Sequence, residues 1–141
     1  MNINFYIFEE AKKQKALLFT CQLIKDMYDN NQHVYIHTPT REEAQYFDAL
    51  LWTYKEDSFI PHQIQEQHSD TYPPVQIGFD IMTPNEKDVL INLAKEIPPF
   101  YDQYHEVIEI VFSDPTVQQW ARERYRQYRN QNHIIHVHKM K

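Results

Sequence analysis

The stretch 107–130 reads VIEIVFSDPTVQQWARERYRQYRN, and it carries the signals that decide the fold. Residues 107–112 are β-branched or apolar except for Glu109, and such a run is typical of a buried strand. Asp114 can accept hydrogen bonds from the amides of a first helical turn, and Pro115 suits the first helical position. The stretch therefore predicts a strand that is followed directly by a long helix.

The same alternation of strand and helix occurs near the start of the chain. Residues 4–8 predict a first strand, and apolar residues at helical spacing over 16–28 predict a helix after it. A second strand is predicted over 34–36. Thr40 and Glu43 then form a capping box, which predicts that a second helix begins there.

The second half continues the pattern after a break. Residues 55–74 are polar and rich in turn residues, which predicts an ordered loop. Strands are predicted over 75–79 and 89–93, and a short helix over 98–105. The tail, 133–141, is either mobile or an edge strand. Alternating elements of this kind favour a Rossmann-like three-layer α/β fold with a largely parallel central sheet.

Composition narrows the possible functions. With 141 residues, 42% of them hydrophobic, the chain is long enough for one core, so we expect a single domain over 1–141. The formal net charge of −6 repels nucleic-acid phosphates, so any contact with DNA is expected to be indirect. The single glycine, Gly78, leaves no nucleotide-binding glycine loop, and we expect no cofactor. Cys21 lies among apolar residues and is expected to be a buried thiol.

Two further classes are disfavoured. The sequence has no apolar run approaching the roughly 18 residues that cross a bilayer, and it begins without a signal-peptide pattern, so we expect a cytoplasmic protein with no membrane partner. No catalytic motif is present, and carboxylates such as Asp88 and Glu109 are scattered along the chain. An α/β enzyme with an unrecognised pocket remains the alternative. A direct binder of single-stranded DNA would need basic and aromatic residues on several elements.

Three histidines in the tail invite a metal interpretation. His133, His136 and His138 are close in sequence, but an extended tail would place His136 and His138 on one face and His133 on the other. Zinc needs three or four ligands that converge. A polar tail without a metal is the preferred interpretation.

The last predicted helix has two distinct sides. At helical spacing Val117, Ala121, Arg124 and Tyr128 share one side, which we expect to face the core. Arg124 on that side is best explained by a structural ion pair.

A basic and aromatic stripe borders that side. Its members are Gln118, Arg122, Tyr125, Arg126 and Arg129. Guanidinium groups suit the capture of carboxylates, and Tyr125 offers an apolar wall, so the stripe fits an acidic segment that carries a hydrophobic residue. The alternative is a solvated helix face, which is the usual condition of surface helices.

Several motifs resemble those of one known family. The sequence ARERYRQYR at 121–129 is similar to the A-R-E-R-Y-[KR]-x-Y-R signature of the chi subunit family of bacterial DNA polymerase III. LWTYKEDSFIPH at 51–62 resembles the L-W-x-x-x-x-x-S-F-[IV]-P-H block of that family. With NFYI near the start and EEAQYFDALLW in the second helix, the resemblance covers nearly the whole chain.

The resemblance implies a protein-binding platform without nucleotide and without catalysis. Members of the family bind the acidic, phenylalanine-ended C-terminal tail of single-stranded DNA-binding protein. Carried over to this sequence, the tail site would have Val111 as an apolar floor, Arg122 and Arg126 as carboxylate partners and Tyr125 as a wall. Gln118 stands where the family often has a lysine, which removes one charge from the rim of the site.

The resemblance also implies a second surface, which binds the psi subunit and through it the clamp loader. The matching residues are Trp52 and Phe59. Trp52 fits an interface and a core position equally well, because large aromatic residues are common in both. In some members of the family an accessory helicase competes for this surface.

Overall fold

A computed structural model describes residues 1–54, 60–64, 73–79 and 88–140. The helices are α1 (Lys13–Asp29), α2 (Arg41–Thr53) and α3 (Pro115–Asn130), with a short 3-10 helix at Tyr101–Gln103. The strands are β1 (Asn2–Phe8), β2 (Val34–His37), β3 (His62–Ile64), β4 (Val75–Gly78), β5 (Val89–Asn92), β6 (Glu106–Val111) and β7 (Ile134–Met140). No helix within these residues is both long and apolar enough to cross a membrane.

The described strands form one sheet in the order β3-β4-β2-β5-β6-β1-β7. All neighbouring strands in it are parallel. Parallel strands of one sheet need crossover connections, and α1 supplies the one from β1 to β2 while α3 supplies the one from β6 to β7. Neither pair is adjacent in the sheet, since β1 itself lies between β6 and β7. The predicted Rossmann-like α/β fold with a largely parallel sheet is confirmed.

One face of the sheet is covered by α1 and α2. Ile24 of α1 and Phe47 of α2 are buried in the same cluster as Ile36 of β2 and Ile108 of β6. Cys21 lies in this cluster too, and its burial raises the pKa of the thiol to about 12. The expectation of a buried thiol is confirmed.

The opposite face is covered by α3 and the segment around the 3-10 helix. Ala121 and Tyr128 of α3 pack there with Phe5 of β1 and Val107 of β6. Ala121, Tyr128 and Arg124 are buried, as the helical spacing predicts. Helices on both faces make the structure three layers deep.

Two of the helices are capped at their N-termini by a side chain. The Asp114 carboxylate accepts hydrogen bonds from the amides of Thr116 (2.9 Å) and Val117 (3.0 Å). The Thr40 hydroxyl accepts from the amide of Glu43 at 3.2 Å, but the Glu43 carboxylate binds Lys13 (2.7 Å) instead of reaching back. Only half of the predicted capping box therefore forms.

Two predictions between the second and last helices need correction. The loop predicted over 55–74 is wrong at His62–Ile64, which forms β3 and pairs with β4, so that His62 lies opposite Val75. Three residues are too few to carry a strand periodicity, and the hydrogen bonds come from a distant partner. Residues 55–59 and 65–72 lie outside the described part. The helix predicted over 98–105 is limited to the 3-10 turn at Tyr101–Gln103.

The tail forms the edge strand β7, parallel to β1. The imidazole of His138 stacks on Tyr6, with 4.6 Å between ring centroids, and its Nε2 lies 3.0 Å from the Asn4 side-chain oxygen. The His133 ring meets the Tyr101 hydroxyl at 2.9 Å. These two histidines therefore pack against different parts of the fold, His138 against β1 and His133 against the 3-10 helix. Among the described residues no three His, Cys, Asp or Glu side chains cluster as metal ligands.

Gly78 is required by close packing. A Cβ atom at this position would lie only 2.2 Å from the Tyr35 hydroxyl oxygen and 2.6 Å from the Tyr35 ring. Tyr35 is itself buried and packs against Phe100, with ring centroids 5.8 Å apart. The tyrosine ring therefore fills the space that a side chain on β4 would need.

We expect Gly78→Ala to lower the free energy of unfolding by about 1–3 kcal/mol, because the added methyl group overpacks a site with no room to relax. Urea unfolding followed by circular dichroism measures the change. A midpoint equal to that of the wild type would mean that Tyr35 can move aside.

Candidate functional site

A buried polar cluster sets the position of α3. The Glu109 carboxylate on β6 accepts from Arg124 Nε (2.9 Å), from the Tyr128 hydroxyl (2.6 Å) and from the Asn92 amide (3.1 Å). Arg124 Nη1 also donates to the backbone carbonyl of Lys95 at 2.8 Å. Burial, and then the neighbouring Glu109 charge, raise the pKa of Tyr128, which therefore stays a donor. The predicted ion pair of Arg124 is confirmed.

Because Arg124 and Tyr128 face the core, the basic stripe of α3 faces solvent. Arg122, Arg126 and Arg129 are exposed on α3, while Tyr125 is half-buried. The Tyr125 ring meets Phe5 edge to face, with 5.7 Å between centroids. The stripe therefore combines exposed guanidinium groups with an aromatic side chain that packs against the sheet.

A groove of about 670 Å³ lies between α3 and the strands beneath it. It is lined by Phe5, Ile7, Glu9, Val111, Gln118, Ala121, Arg122, Tyr125, Arg126, Arg129 and Val137. The five residues of the predicted tail site, Val111, Gln118, Arg122, Tyr125 and Arg126, are all among them. The structure thus brings that set together in one concave surface.

Sequence reasoning missed the floor and the far wall of this groove. Phe5 and Ile7 come from β1 and Val137 from β7, more than 100 positions apart in the chain. Their place beside α3 follows from the register in which Phe5 lies opposite Val137 and Ile7 opposite Val111. No local pattern carries that register, because each strand alone is compatible with several partners.

Ion pairs within the described residues leave most of the groove's positive charge available. Arg126 binds Glu123 at 2.8 Å, but both side chains are more than half exposed, and such pairs are worth at most about 1 kcal/mol. Among the described residues, the one side-chain hydrogen bond of Arg122 is to the Gln119 side-chain oxygen at 3.5 Å, at the limit of a hydrogen bond. The pairing with Glu123 that the alternative of a solvated helix face includes is found at Arg126, and Arg122 is exposed without an ion pair to any described residue.

Trp52 lies on the other side of the molecule, at the end of α2. Its side chain is 51% exposed, and its ring lies against His62 with centroids 4.4 Å apart. The alternative that Trp52 is a core residue is therefore wrong. Phe59, the other residue of the predicted psi surface, lies outside the described residues.

A second cavity lies at the carboxyl ends of the strands, where Rossmann-like enzymes bind their ligands. It measures about 160 Å³ and is lined mainly by apolar residues such as Leu17, Phe47 and Phe112. The charged residues that line it are already engaged, Lys13 with Glu43 and Arg124 with Glu109. Because this cavity is small and mainly apolar, the groove on α3 is the better candidate for the functional site.

The family model for the DNA polymerase III chi subunit, HolC, matches residues 1–136. The chain belongs to the chi subunit family of DNA polymerase III. The family makes it an accessory component of the replication machinery, and the resemblance that its motifs indicate is confirmed.

Curated relatives in three bacteria cover almost the whole chi-family chain. The DNA polymerase III subunit chi of Pseudomonas aeruginosa is 30% identical over 98% of this chain and 96% of its own length. Those of Haemophilus influenzae and Escherichia coli are 29% and 26% identical, over 90% and 91% of this chain and 89% and 90% of their own lengths. The similarity therefore extends across all the described elements.

A solved structure supports the fold alone. It is that of Mss116p DEAD-box helicase domain 2 bound to an RNA duplex, and it matches with a TM-score of 0.66 at 12% identity. The match covers 100% of the chi-family chain, which spans 64% of the helicase chain. The likeness confirms a Rossmann-like arrangement of strands and helices.

We expect Arg124→Met to lower the free energy of unfolding by about 3–5 kcal/mol, because it leaves the buried Glu109 carboxylate without its cation. Adding Glu109→Gln to that variant should recover part of the loss, since the remaining group is then neutral. Urea unfolding of the single and double variants measures both values. Equal stability of Arg124→Met and the wild type would show that the ion pair does not hold α3.

Proposed function

We propose that this chain is a non-catalytic adaptor of the DNA polymerase III holoenzyme. Its groove on α3 binds the acidic C-terminal tail of single-stranded DNA-binding protein, and its Trp52 surface binds the psi subunit of the clamp loader. The observation that carries the proposal is the convergence of Val111, Arg122, Tyr125 and Arg126 on one groove.

The chemistry of the groove fits a peptide that ends in a hydrophobic residue and a free carboxylate. Phe5, Ile7 and Val111 form an apolar floor on which an aromatic side chain can be buried. Arg122 and Arg126 stand on consecutive turns above it and can donate paired hydrogen bonds to a carboxylate. Tyr125 lies between them and closes the side of the site.

The exposure of these arginines sets the expected strength of binding. A charge-assisted hydrogen bond to a carboxylate is worth about 1.5–3 kcal/mol, and salt screens exposed charges. Gln118 lines the same groove and adds no charge to it. We therefore expect micromolar affinity that weakens as salt is added.

The two proposed surfaces lie on opposite faces of the sheet. Trp52 lies in the last turn of α2, which packs in one core cluster, whereas Arg122 lies on α3, which packs in the other. Both partners can then be held at once without a clash. Linking two modest affinities in this way raises the effective concentration of each partner, which would keep the polymerase machinery on coated template.

The direct test is a titration with an acidic nonapeptide that ends in Pro-Phe and a free carboxylate. A second peptide that lacks the final phenylalanine serves as the control. Binding of the first peptide alone, weakened by salt, supports the proposal. Equal binding of both peptides, or of neither, contradicts it.

Arg122→Ala should weaken binding of the Pro-Phe peptide by about 1.5–3 kcal/mol, because it removes a charge-assisted bond to the carboxylate. Lys15→Ala, which removes a positive charge from the exposed side of α1, is the matched control and should bind as the wild type does. Calorimetry gives both affinities, and circular dichroism checks the fold. An unchanged affinity in Arg122→Ala would exclude Arg122 from the site.

Trp52→Ala should weaken psi binding and leave peptide binding unchanged, since an exposed aromatic side chain contributes more to an interface than to the core. Pull-down with psi and the peptide titration measure the two effects separately. Loss of peptide binding in this variant would mean that the surfaces are not independent, and intact psi binding would remove Trp52 from the interface.

A further inference from the structure

The groove is longer than a single terminal residue needs. Gln118 and Arg129 both line it, and they are eleven residues apart on α3, which corresponds to about 16 Å along the helix axis. Because α3 joins the parallel strands β6 and β7, it runs opposite to them. Gln118 therefore lies near the carboxyl ends of the strands and Arg129 toward their amino ends.

The two ends of the groove differ in charge. Glu9 follows the carboxyl end of β1 and lines the groove, and its carboxylate pairs with Lys139 of β7 at 3.7 Å. That end carries one acid and one base. At the other end Arg129 has no ion pair or side-chain hydrogen bond with any described residue, so its positive charge is not compensated there.

This difference implies a direction for a bound acidic peptide. Resting on the function proposed above, we infer that the terminal residue lies over Val111 beside Arg122, and that the preceding acidic residues run along α3 to a second subsite at Arg129. The reverse direction would bring the acidic residues to the end where the charges of Glu9 and Lys139 offset each other, and would leave Arg129 without an acidic partner.

The spacing indicates which residues of the peptide are bound there. Arg122 and Arg129 are seven residues apart, or about 10 Å along the helix. An extended peptide covers that distance in about three residues. The acidic side chains near Arg129 are then those about three to five positions before the terminal residue.

A structural role for Arg129 must be distinguished from this one. It lies in the last turn of α3, where a cation stabilises the negative end of the helix dipole. Loss of that effect would change stability, and would alter the binding of acidic and neutral peptides equally. The subsite is therefore tested by the ratio of the affinity for an acidic peptide to the affinity for a neutral one.

The experiment compares the acidic nonapeptide with a matched amide peptide, in which Asn or Gln replaces each acidic residue and the Pro-Phe end is kept. Both are titrated into the wild type, Arg129→Gln and Lys139→Gln. Each variant removes one positive charge: Arg129 lines one end of the groove, and Lys139 pairs with Glu9, which lines the other end. Circular dichroism and urea unfolding check the fold of each variant.

We expect the wild type to prefer the acidic peptide, and Arg129→Gln to reduce that preference about two- to fivefold, as for an exposed ion pair. Lys139→Gln should leave the preference unchanged, because Glu9 and Lys139 then face the end of the peptide that both ligands share.

Other results would overturn the inference. Loss of the preference in Lys139→Gln alone would reverse the direction of the peptide. If Arg129→Gln weakens the binding of both peptides equally, Arg129 acts by stabilising the end of the helix. If the wild type binds both peptides equally well, the groove has no subsite for acidic residues, and the proposed function is unaffected. Binding of neither peptide to the wild type would overturn the proposed function and this inference together.

Discussion

Glu109 and Arg124 form a buried ion pair, and this pair determines how α3 lies on the sheet. Burying two charges is costly, and the attraction between them compensates only when the geometry is close and the remaining polar atoms are bonded. Both conditions hold, because Tyr128, Asn92 and the carbonyl of Lys95 complete the hydrogen bonds. A rotated or shifted helix would leave a buried charge unpaired, so α3 has one favourable position.

That position lets a single helix serve the core and the surface at once. The helical repeat separates the two sides, so that Arg124 and Tyr128 point inward while Arg122 and Arg126 point to solvent. Tyr125 lies on the boundary and meets Phe5 of β1. The shape of the groove is therefore tied to the packing of the core, and a ligand there meets side chains whose places are already set.

The parallel sheet separates the two surfaces on which the proposed adaptor depends. Both faces of the sheet are covered by helices, as parallel sheets require, and each face presents a different helix to solvent. Trp52 on α2 and the arginines on α3 consequently lie on opposite sides of the sheet. An adaptor benefits from this arrangement, since binding on one side then leaves the other side accessible.

The sequence by itself determined the class of fold, most of the elements, the two sides of α3 and the family. These follow from local patterns: the Asp114 and Pro115 signals, the spacing of Ala121, Arg124 and Tyr128, and the signature at 121–129. Only the tertiary structure decided that Glu109 is the partner of Arg124, that His62–Ile64 is a strand, that Trp52 is exposed, and that Phe5, Ile7 and Val137 complete the groove. Each of these depends on strand order and register, which arise from contacts between segments far apart in the chain, and a local pattern does not specify such partners.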